Sequence, residues 1–444
     1  MSFLKTPAAW PQVLTARAAA MAADPFDLDA AVRAGAFSAL KQATSLGGPG
    51  TRDLIAAAGL RGRGGAGFPA ADKWRMAAAV EADQRYVIAN GYGADPGSRT
   101  DATLLATDPW AVLEGMAIAA LAIGATEAIL VVRADDAALV TKLEGAVLAA
   151  EEAGFLGDDV VGSGRRVTVT VRALQGTYML GEETALIKAL EGRRAQPEQR
   201  PPYPAQRGLF DRPTVVNNVQ TLAAVPWIVA NGAEAFAKIG ASACPGTVLV
   251  QLRGPAGGGV AEIPTGTPLR ALVDLAGGTG THTLKALLVG GPTGGILPAE
   301  ALDTPYEPAA LRAAGAHMGS GSVVIADERA CVVDLARLLT RFSADQACGK
   351  SIPCRIGLRR MAEIGDRIAT GRPRANDVVT LGDLAHDIAA SALCDHERTA
   401  TLALSATLRY FRAELDDHLL RSTCPAGVCT PIAVGSASSR GANR

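Results

Sequence analysis

A glycine-rich stretch, Gly59–Pro69, is the part of this sequence best suited to holding a ligand. Five glycines fall within nine residues, between a helix-like run at 53–58 and another at 71–80. Glycine lets the backbone approach a ligand closely and point several N–H groups at it. A helix beginning just after Pro69 would add its positive N-terminal end at the same place. The pattern indicates a phosphate-binding loop, although glycine clusters also mark ordinary turns.

A second chemically capable group consists of cysteines near the C-terminal end. Cys348, Cys354 and Cys394 have the arrangement of an iron–sulfur site, but Ser351 stands at the middle position of the expected C-x2-C-x2-C spacing. A serine oxygen is a hard ligand that iron tolerates poorly. The spacing predicts a cluster of some kind with Ser351 as a poor ligand; the alternative is three buried small residues.

Cys424 and Cys429 form a C-x4-C pair with no nearby histidine or further cysteine to complete a site. The pair could bind a second metal with ligands from elsewhere, pair reversibly, or be inert. Cys244, Cys331 and the five histidines are isolated in the sequence. We expect core or surface roles for them.

Three further segments have both a structural and a functional interpretation. The acids of Gly181-Glu182-Glu183-Thr184 open a helix, where they complement the helix dipole, but a carboxylate there could also accept hydrogen bonds from a nucleotide. Asn217-Asn218 precedes a helix-like run, where asparagine commonly serves as an N-cap. The segment 290–295, GGPTGG, has the composition of a tight turn after a strand.

The elements that must position these residues fall into consecutive regions. Between 51 and 243, short β-rich runs (85–89, 127–133 and 167–172) are separated by helical runs, which predicts βαβ units and a largely parallel sheet. Ligands bind such sheets beyond the carboxyl ends of the strands. The other regions are a helical lead-in at 1–50, a small α+β domain at 244–327, a helical domain at 328–420, and a cysteine-containing tail at 421–444 with a disordered end.

Composition excludes several classes of protein. The 444 residues carry a formal net charge of −1 and no basic block interleaved with aromatic residues, so we expect no nucleic-acid partner. The most apolar segment, 115–126, is too short to span a bilayer, and no signal peptide is visible. Seven cysteines concentrated toward the C-terminus favour metal binding over a disulfide framework. These features predict a soluble, cytoplasmic protein.

Taken in order, these segments resemble the NADH-binding, FMN-containing subunit of respiratory complex I and the related diaphorase subunits of NAD-linked formate dehydrogenases and hydrogenases. One such motif could arise by chance, whereas five in the family's order indicate a member. The matching stretches are GLRGRGGAGFPAADKW (59–74), YMLGEETALIKALEGRRAQP (178–197), PPYPAQRGLFDRPTVVNNVQT (201–221), GGPTGG (290–295) and CGKSIPCRIG (348–357).

The resemblance implies a Rossmann-like FMN/NADH-binding α/β domain with a parallel sheet, a small β-grasp-like (SLBB) domain and a C-terminal helical bundle with a [4Fe–4S] cluster. It implies an NADH dehydrogenase subunit that passes electrons from NADH through FMN to the cluster, without a catalytic side chain. The implied partners are a thioredoxin-like [2Fe–2S] subunit and a larger redox complex. Such a complex can lie peripherally at the inner membrane, with no membrane span in this chain.

The resemblance also assigns cofactor contacts by position in the motifs. It places the flavin phosphate and ribityl chain against Gly62, Gly64, Gly65, Ala66 and Gly67, with Lys73 nearby. It places the flavin against Asn90, Asn217 and Asn218, the adenine near Phe68 and Tyr203, and nucleotide or flavin near Glu182 and Glu183. The remaining expected cofactor contacts are Arg63, Tyr92, Asp95, Tyr178, Gly181 and Thr221, and the expected cluster ligands are Cys348, Cys354, Cys394 and Ser351.

Two sites depart from the family pattern. Where members commonly read N-x-D-E-x-E-P, this chain has Tyr92 and Gly93 in place of two acids and Asp95 in place of a third; Gln220 also replaces a usual glutamate. A less anionic site changes the flavin potential and the seating of the nicotinamide. With Ser351 in the cysteine loop, we expect a [3Fe–4S] form, a serine- or water-ligated form, or no cluster. The alternatives are therefore a diaphorase β subunit of an NAD-dependent formate dehydrogenase or hydrogenase, and a non-catalytic scaffold.

Overall fold

The computed structural model describes residues 3–429, which form three units in chain order. The predicted disordered end of the chain lies outside the described residues. The first unit contains α1 (Leu28–Arg33), α2 (Ser38–Ala57), α3 (Ala70–Ala79), β1 (Tyr86–Asn90), α4 (Thr100–Thr107), α5 (Pro109–Ile123), β2 (Glu127–Arg133), α6 (Ala137–Glu152), β3 (Thr168–Leu174), α7 (Glu183–Leu190), β4 (Thr214–Asn218), α8 (Val219–Asn231) and α9 (Ala233–Ala237).

The sheet of the first unit is parallel, with strand order β3-β2-β1-β4. This confirms the α/β fold that the alternation of strands and helices predicts. In the register of β1 with β4, Asn90 lies opposite Asn218. The carboxyl ends of these two strands therefore lie side by side, where parallel sheets bind their ligands.

Helix α5 forms the centre of the first unit and is buried over almost its whole length. Gly115 permits its close packing on α8, because a Cβ there would meet the carbonyl oxygen of Leu222 at 2.0 Å. Among the described residues, no single helix is long and apolar enough to cross a membrane. Helices α4 and α5 would be long and apolar enough only if they were counted as one helix, but the chain bends by 96° between them.

The second unit is a small α+β domain with a core of its own, as predicted. Its five-stranded mixed sheet has the order β10-β9-β11-β7-β8. The elements are a two-stranded ribbon of β5 (Gly240–Ala241) and β6 (Cys244–Pro245), then β7 (Thr247–Gly254), β8 (Gly257–Pro264), α10 (Leu269–Leu275), β9 (Leu284–Val289), β10 (Gly295–Pro298), α11 (Pro308–Ala313) and β11 (Ser322–Asp327).

The N-terminal segment is attached to both of these units and does not stand apart as a lead-in. The backbone N–H groups of Val13, Leu14 and Thr15 donate to the buried carboxylate of Glu262, in β8, at 2.7–2.9 Å. Residues of this segment also join the core of the first unit. Helix α2 is interrupted at Gly47, whose φ of 67° and ψ of 175° are not helical, close to the expected boundary at residue 50.

The third unit is helical, as predicted, and surrounds a separate core. Its elements are α12 (Val332–Gln346), a π-helical turn (Pro353–Gly357), α13 (Leu358–Ala369), α14 (Asp377–Ala390), α15 (Asp395–Thr399), α16 (Leu402–Tyr410) and α17 (Arg412–Leu420). Residues 397–419, which the sequence presents as one continuous helical run, belong to three separate helices. The breaks at Ala400-Thr401 and at Phe411 contain neither proline nor glycine, so the sequence carries no signal for them.

Candidate functional site

The loop between α2 and α3, called here the flavin loop (residues 62–68), is closed at its base. The N–H of Gly62 donates to the carbonyl of Phe68 at 2.9 Å, and the N–H of Ala70 donates to the carbonyl of Leu60 at 2.9 Å. Between these contacts, the N–H groups of residues 64–68 have no hydrogen-bond partner within the part of the chain that the structure describes. Five successive amide donors are therefore free to bind a ligand.

The flavin loop lies against the carboxyl ends of β1 and β4. A Cβ on Gly64 would meet the side chain of Asn218 at 3.4 Å, and a Cβ on Gly65 would meet the carbonyl oxygen of Gly319 at 3.0 Å. Gly65 also has a φ of +108°, which residues with a side chain rarely adopt. Because Gly319 belongs to the second unit, two units enclose the loop. A backbone this closely packed leaves little room for side chains.

These features fit the phosphate end of FMN. Free amide donors in a glycine-rich loop bind phosphate oxygens, and the N-terminus of α3 begins directly after the loop. Lys73, in the first turn of α3, adds a positive charge. A Cβ on Gly64 or Gly65 would instead meet neighbouring protein atoms, so the loop backbone lies close to its surroundings. The contacts of Gly62, Gly64, Gly65, Ala66 and Gly67 with the flavin phosphate and ribityl chain stay predictions.

Three other predicted contacts use their side chains to hold the flavin loop in place. The buried guanidinium of Arg63 donates to the carbonyl of Thr247 at 2.9 Å, and the N–H of Arg63 donates to Thr221 Oγ1 at 2.9 Å. The side-chain oxygen of Asn217 accepts from the indole of Trp74 at 2.9 Å. The guanidinium of Arg63 thus has protein partners and positions the loop. Among the described residues, no group bonds Nδ2 of Asn217, which stays a predicted flavin contact.

Asp101, in the first turn of α4, is a buried carboxylate that the sequence analysis did not single out. It accepts hydrogen bonds from Asn218 Nδ2 at 2.7 Å and from Gln220 Nε2 at 2.8 Å. Gln220 in turn accepts from the N–H of Leu249, in the second unit, at 3.0 Å. Burial raises the pKa of Asp101, and the two amide donors oppose that shift. Gln220 suits this carboxylate, since a glutamate would bring two acids together.

Replacing Asp101 by alanine should lower the thermal stability of the protein and weaken FMN binding. The change leaves the amide donors of Asn218 and Gln220 without their buried acceptor, which costs roughly 1–3 kcal/mol for each group. The D101N variant, which retains one acceptor oxygen, is the matched control and should lose less. Thermal melts with and without added FMN measure both effects. An unchanged melting temperature for D101A would contradict the role given to this carboxylate.

Tyr92, which replaces a family acid, lies in the core. Its side chain is 1% exposed, and its hydroxyl donates to the carbonyl of Gly176 at 2.8 Å. The guanidinium of Arg133 lies 5.5 Å from the ring centre. Burial raises the pKa of Tyr92, so the phenol stays neutral. Its hydroxyl is occupied by the protein and contributes no negative charge to the site.

Asp95, the retained acid of this segment, contacts the second unit. One carboxylate oxygen accepts from the N–H of Gly97 at 2.7 Å, and the other accepts from Ser320 Oγ at 2.9 Å. A Cβ on Gly291 would meet this carboxylate at 2.2 Å. The GGPTGG segment is therefore more than a turn, because its glycine makes room for the acid of the neighbouring unit.

The side chains of Asn90 and Glu182 also form hydrogen bonds with nearby backbone groups. Asn90 Nδ2 donates to the carbonyl of Gly181 at 3.2 Å. Glu182 is the N-cap of α7 and accepts from the N–H groups of Thr184 and Ala185 at 2.9 and 2.8 Å. The structural interpretation of this acid is confirmed.

Partly exposed charges form one rim of the site. Lys73 Nζ pairs with Glu183 at 2.6 Å, and Arg200 pairs with the same carboxylate at 3.1 Å. The ring of Phe68, 42% exposed, has its centre 6.0 Å from Lys73 Nζ, and Tyr203, three residues after Arg200 in the sequence, is 45% exposed. Cations and exposed aromatic rings are groups that bind the phosphates and the base of a dinucleotide.

The segment Tyr178–Gly181, a 3-10 turn, links this site to the third unit. The N–H of Tyr178 donates to the side chain of Gln346 at 2.9 Å, and its ring lies 5.5 Å from that of Phe342 and 5.6 Å from that of His396. Burial raises the pKa of Tyr178 to about 12. The hydroxyl of Tyr178 lies 3.3 Å from Oγ1 of Thr293, in the second unit. Tyr178 therefore contacts residues of both other units.

Cys348, Cys354 and Cys394 lie near one another in the third unit. Burial raises the pKa of Cys354 to about 12, and the neighbouring charges of Glu397, Cys394 and Cys348 add to this shift. Burial likewise raises the pKa of Cys394 to about 11, with contributions from Glu182 and Cys348. Glu182 belongs to the flavin side of the molecule, so these thiols lie close to the nucleotide-binding unit.

Ser351 faces a buried acid that the sequence analysis did not consider. Its hydroxyl donates to Glu397 Oε1 at 2.6 Å, and the N–H of Leu393 donates to the other oxygen at 2.8 Å. Glu397 is 1% exposed. At the loop position where the expected spacing has a cysteine, the structure therefore has a serine hydroxyl bonded to a buried carboxylate.

A second group of thiols corrects an expectation from the sequence. Cys331 and His418, expected to have core or surface roles, lie beside Cys424 and Cys429. The four ligand atoms all lie within 4.8 Å of one another. Cys331 and His418 are 87 residues apart, so their spacing gave no sign of this group.

The fold and the site together define a nucleotide-binding α/β flavoprotein joined to an iron–sulfur helical domain. Comparison with known families agrees. Residues 55–227 match the family described as Nuo51 FMN-binding domain, and residues 334–418 match the NADH-ubiquinone oxidoreductase-F iron-sulfur binding region.

Individual relatives extend over nearly the whole chain. NADP-reducing hydrogenase subunit HndC from Solidesulfovibrio fructosivorans is 38% identical over 92% of this chain and 84% of the relative. The F subunit of NADH-quinone oxidoreductase from Streptomyces coelicolor is 37% identical over 90% of both chains. This chain belongs to the family that comprises the F subunits of NADH-quinone oxidoreductases and related hydrogenase subunits, which are FMN-binding oxidoreductases.

A solved structure gives the same result. The crystal structure of an NAD+-reducing [NiFe]-hydrogenase in the H2-reduced state has a TM-score of 0.79 and 34% sequence identity. The match covers 86% of this chain but 65% of that hydrogenase chain, which is therefore considerably longer.

Proposed function

We propose that this protein is the electron-input subunit of a larger redox enzyme: it oxidises NADH at FMN and delivers the electrons to an iron–sulfur partner. When bound, FMN supplies the acceptor for the hydride of NADH and can release electrons singly, and a cluster at Cys348, Cys354 and Cys394 supplies a one-electron acceptor. The side chains described above bind and orient these groups. None of them is needed as a nucleophile or general acid.

The observation that carries this proposal is the position of residues 178–183. Glu183 pairs with Lys73 beside the flavin loop. At the other end of the segment, Tyr178 packs on Phe342 and His396 of the helical unit. One short segment thus contacts both the flavin side and the helical unit that carries the three cysteines, which supports a short path for electrons between them.

The rim residues bind the dinucleotide in this proposal. Lys73 and Arg200 attract its phosphates, and the ion pairs with Glu183 keep both cations in place when no nucleotide is bound. Phe68 and Tyr203 offer ring faces to the adenine. The flavin side of the pocket has fewer negative charges than the family pattern, because Tyr92 and Gly93 stand where that pattern has acids and the phenol of Tyr92 is neutral.

The relatives named above are subunits of multi-subunit enzymes, and we propose that this chain also works within a hetero-oligomer. Its partner would be a thioredoxin-like [2Fe–2S] subunit on another chain. The relatives also favour a second candidate, the diaphorase subunit of a hydrogenase, since HndC is named as a hydrogenase subunit. The two candidates share the same site and differ in the partner, so co-purification from the native organism distinguishes them.

Anaerobic reduction of the FMN-loaded protein tests the proposed function. We expect NADH to bleach the flavin absorbance near 450 nm to roughly the extent that dithionite does, because the cradle and the rim are both complete. Dithionite sets the full amplitude and controls for damaged flavin. Flavin that binds, that dithionite reduces and that NADH leaves oxidised would overturn the proposal and favour a non-catalytic scaffold.

A further inference from the structure

Four metal-binding side chains meet at the C-terminal end of the third unit. Cys331 immediately precedes α12, His418 lies in α17, and Cys424 and Cys429 follow α17. Cys331 and His418 are buried, and the two later cysteines are partly buried. This group is separate from Cys348, Cys354 and Cys394, and the proposed electron transfer does not use it.

The distances within the group match the coordination shell of one metal ion. Sγ of Cys331 lies 3.7 Å from Sγ of Cys429 and 3.5 Å from Nε2 of His418. A tetrahedral zinc ion with standard bond lengths holds two sulfurs about 3.8 Å apart and a sulfur and a nitrogen about 3.6 Å apart. In a [4Fe–4S] cluster each thiolate binds its own iron, and in a [2Fe–2S] cluster the ligands are divided between two irons, so in both the four ligand atoms spread over a wider space than the 4.8 Å found here. The geometry therefore points to a single ion.

Hydrogen bonds around the group orient the ligands as at known metal sites. Nδ1–H of His418 donates to the carbonyl of Glu414 at 2.8 Å, which leaves the lone pair of Nε2 facing the thiols. The N–H of Asp334 donates to the sulfur of Cys331 at 3.3 Å, and the N–H of Cys429 donates to the sulfur of Cys424 at 3.5 Å. Such donors stabilise thiolates.

The C-x4-C pair is folded into a tight turn that brings its two sulfurs to the same side. The N–H of Gly427 donates to the carbonyl of Cys424 at 2.9 Å, and Gly427 has a φ of +68°. Glycine adopts this conformation without strain. The turn therefore presents both sulfurs without strain at Gly427.

We infer that Cys331, His418, Cys424 and Cys429 bind one zinc ion in a closed, structural Cys3His site. Three thiolates and one imidazole are a preferred set for tetrahedral zinc, and four protein ligands leave no position open for a substrate. The ion joins the start of α12 to the segment after α17. It therefore fixes the first and last parts of the helical unit to each other.

Metal analysis of the full chain, purified without an affinity tag and with its flavin and iron, tests this inference. We expect about one zinc per chain in addition to the iron. X-ray absorption at the zinc edge should fit three sulfurs at about 2.3 Å and one nitrogen at about 2.0 Å. Iron or no metal at this position, or a first shell rich in oxygen, would overturn the assignment, and this measurement requires no variant.

The double variant C424S/C429S provides a second test of the zinc site. It should lose the zinc and melt at a lower temperature, while it retains FMN, because the flavin loop lies in another unit. The control C244S removes a buried cysteine outside the group and should keep its zinc. Full zinc occupancy in the double variant would contradict the site. NADH oxidation is not the readout, so a failure of the proposed function would leave this result unaffected.

Discussion

A Gly65→Val variant should lose FMN almost completely. The backbone at residue 65 has a φ of +108°, and a Cβ there would meet the carbonyl oxygen of Gly319 at 3.0 Å. A β-branched residue in that conformation costs of order 1–3 kcal/mol, and the loop must move to relieve the contact. Because the free amides of residues 64–68 must converge on the phosphate, we expect FMN affinity to fall by at least about 100-fold. Fluorescence titration of the apoprotein measures the change.

The control for this experiment is Gly164→Val. Gly164 also has a positive φ, +66°, but a Cβ there has nothing within 4 Å. Its strain should lower stability without affecting FMN. Equal FMN affinity in the Gly65 variant and the wild type would show that the flavin loop is not the phosphate site.

A Ser351→Cys variant should gain a stable fourth cluster position. The wild-type loop offers three thiols and a serine hydroxyl bonded to Glu397. A thiolate binds iron far better than a serine oxygen does, so the variant should keep about one more iron atom per chain after exposure to air. It should also give the low-temperature EPR signal of a reduced [4Fe–4S] cluster. The wild type should lose that iron and show an oxidised three-iron signal.

Ser391→Cys is the matched control for the cluster. It places a new thiol on an exposed helix end in the same unit, outside the cysteine loop. Its iron content and EPR spectrum should equal those of the wild type. A second variant, E397Q, removes the carboxylate charge from the fourth position and should weaken iron retention further. If Ser351→Cys retains no additional iron, the cluster does not lie in this loop.

The sequence predicted the fold because its signals are local. Strands such as 127–133 appear as short β-rich runs and occur with the expected bounds. The glycines of the flavin loop were equally clear, since the conformations they permit concern one short segment. Helix breaks such as Phe411 were not predicted, because packing rather than residue type causes them.

The site was only partly predictable, because its polar side chains form hydrogen bonds with residues that are far away in the sequence. Arg63 carries a charge suited to a phosphate, yet its guanidinium bonds a carbonyl 184 residues away. The role of Asp101 depends on Asn218 and Gln220, and nothing near residue 101 indicates them. Likewise, Ser351 appeared as a missing ligand, and its hydrogen bond to Glu397, 46 residues away, has no signal in the sequence.

The attachment of the N-terminal segment to Glu262 has a consequence for biosynthesis. Val13 and Glu262 are 249 residues apart. At typical translation rates, the ribosome needs roughly 12–50 s to make the intervening chain. During that interval the amide groups of residues 13–15 lack the carboxylate that they bond in the folded protein. The flavin loop, which the second unit encloses through Gly319, is likewise completed only after that unit has emerged.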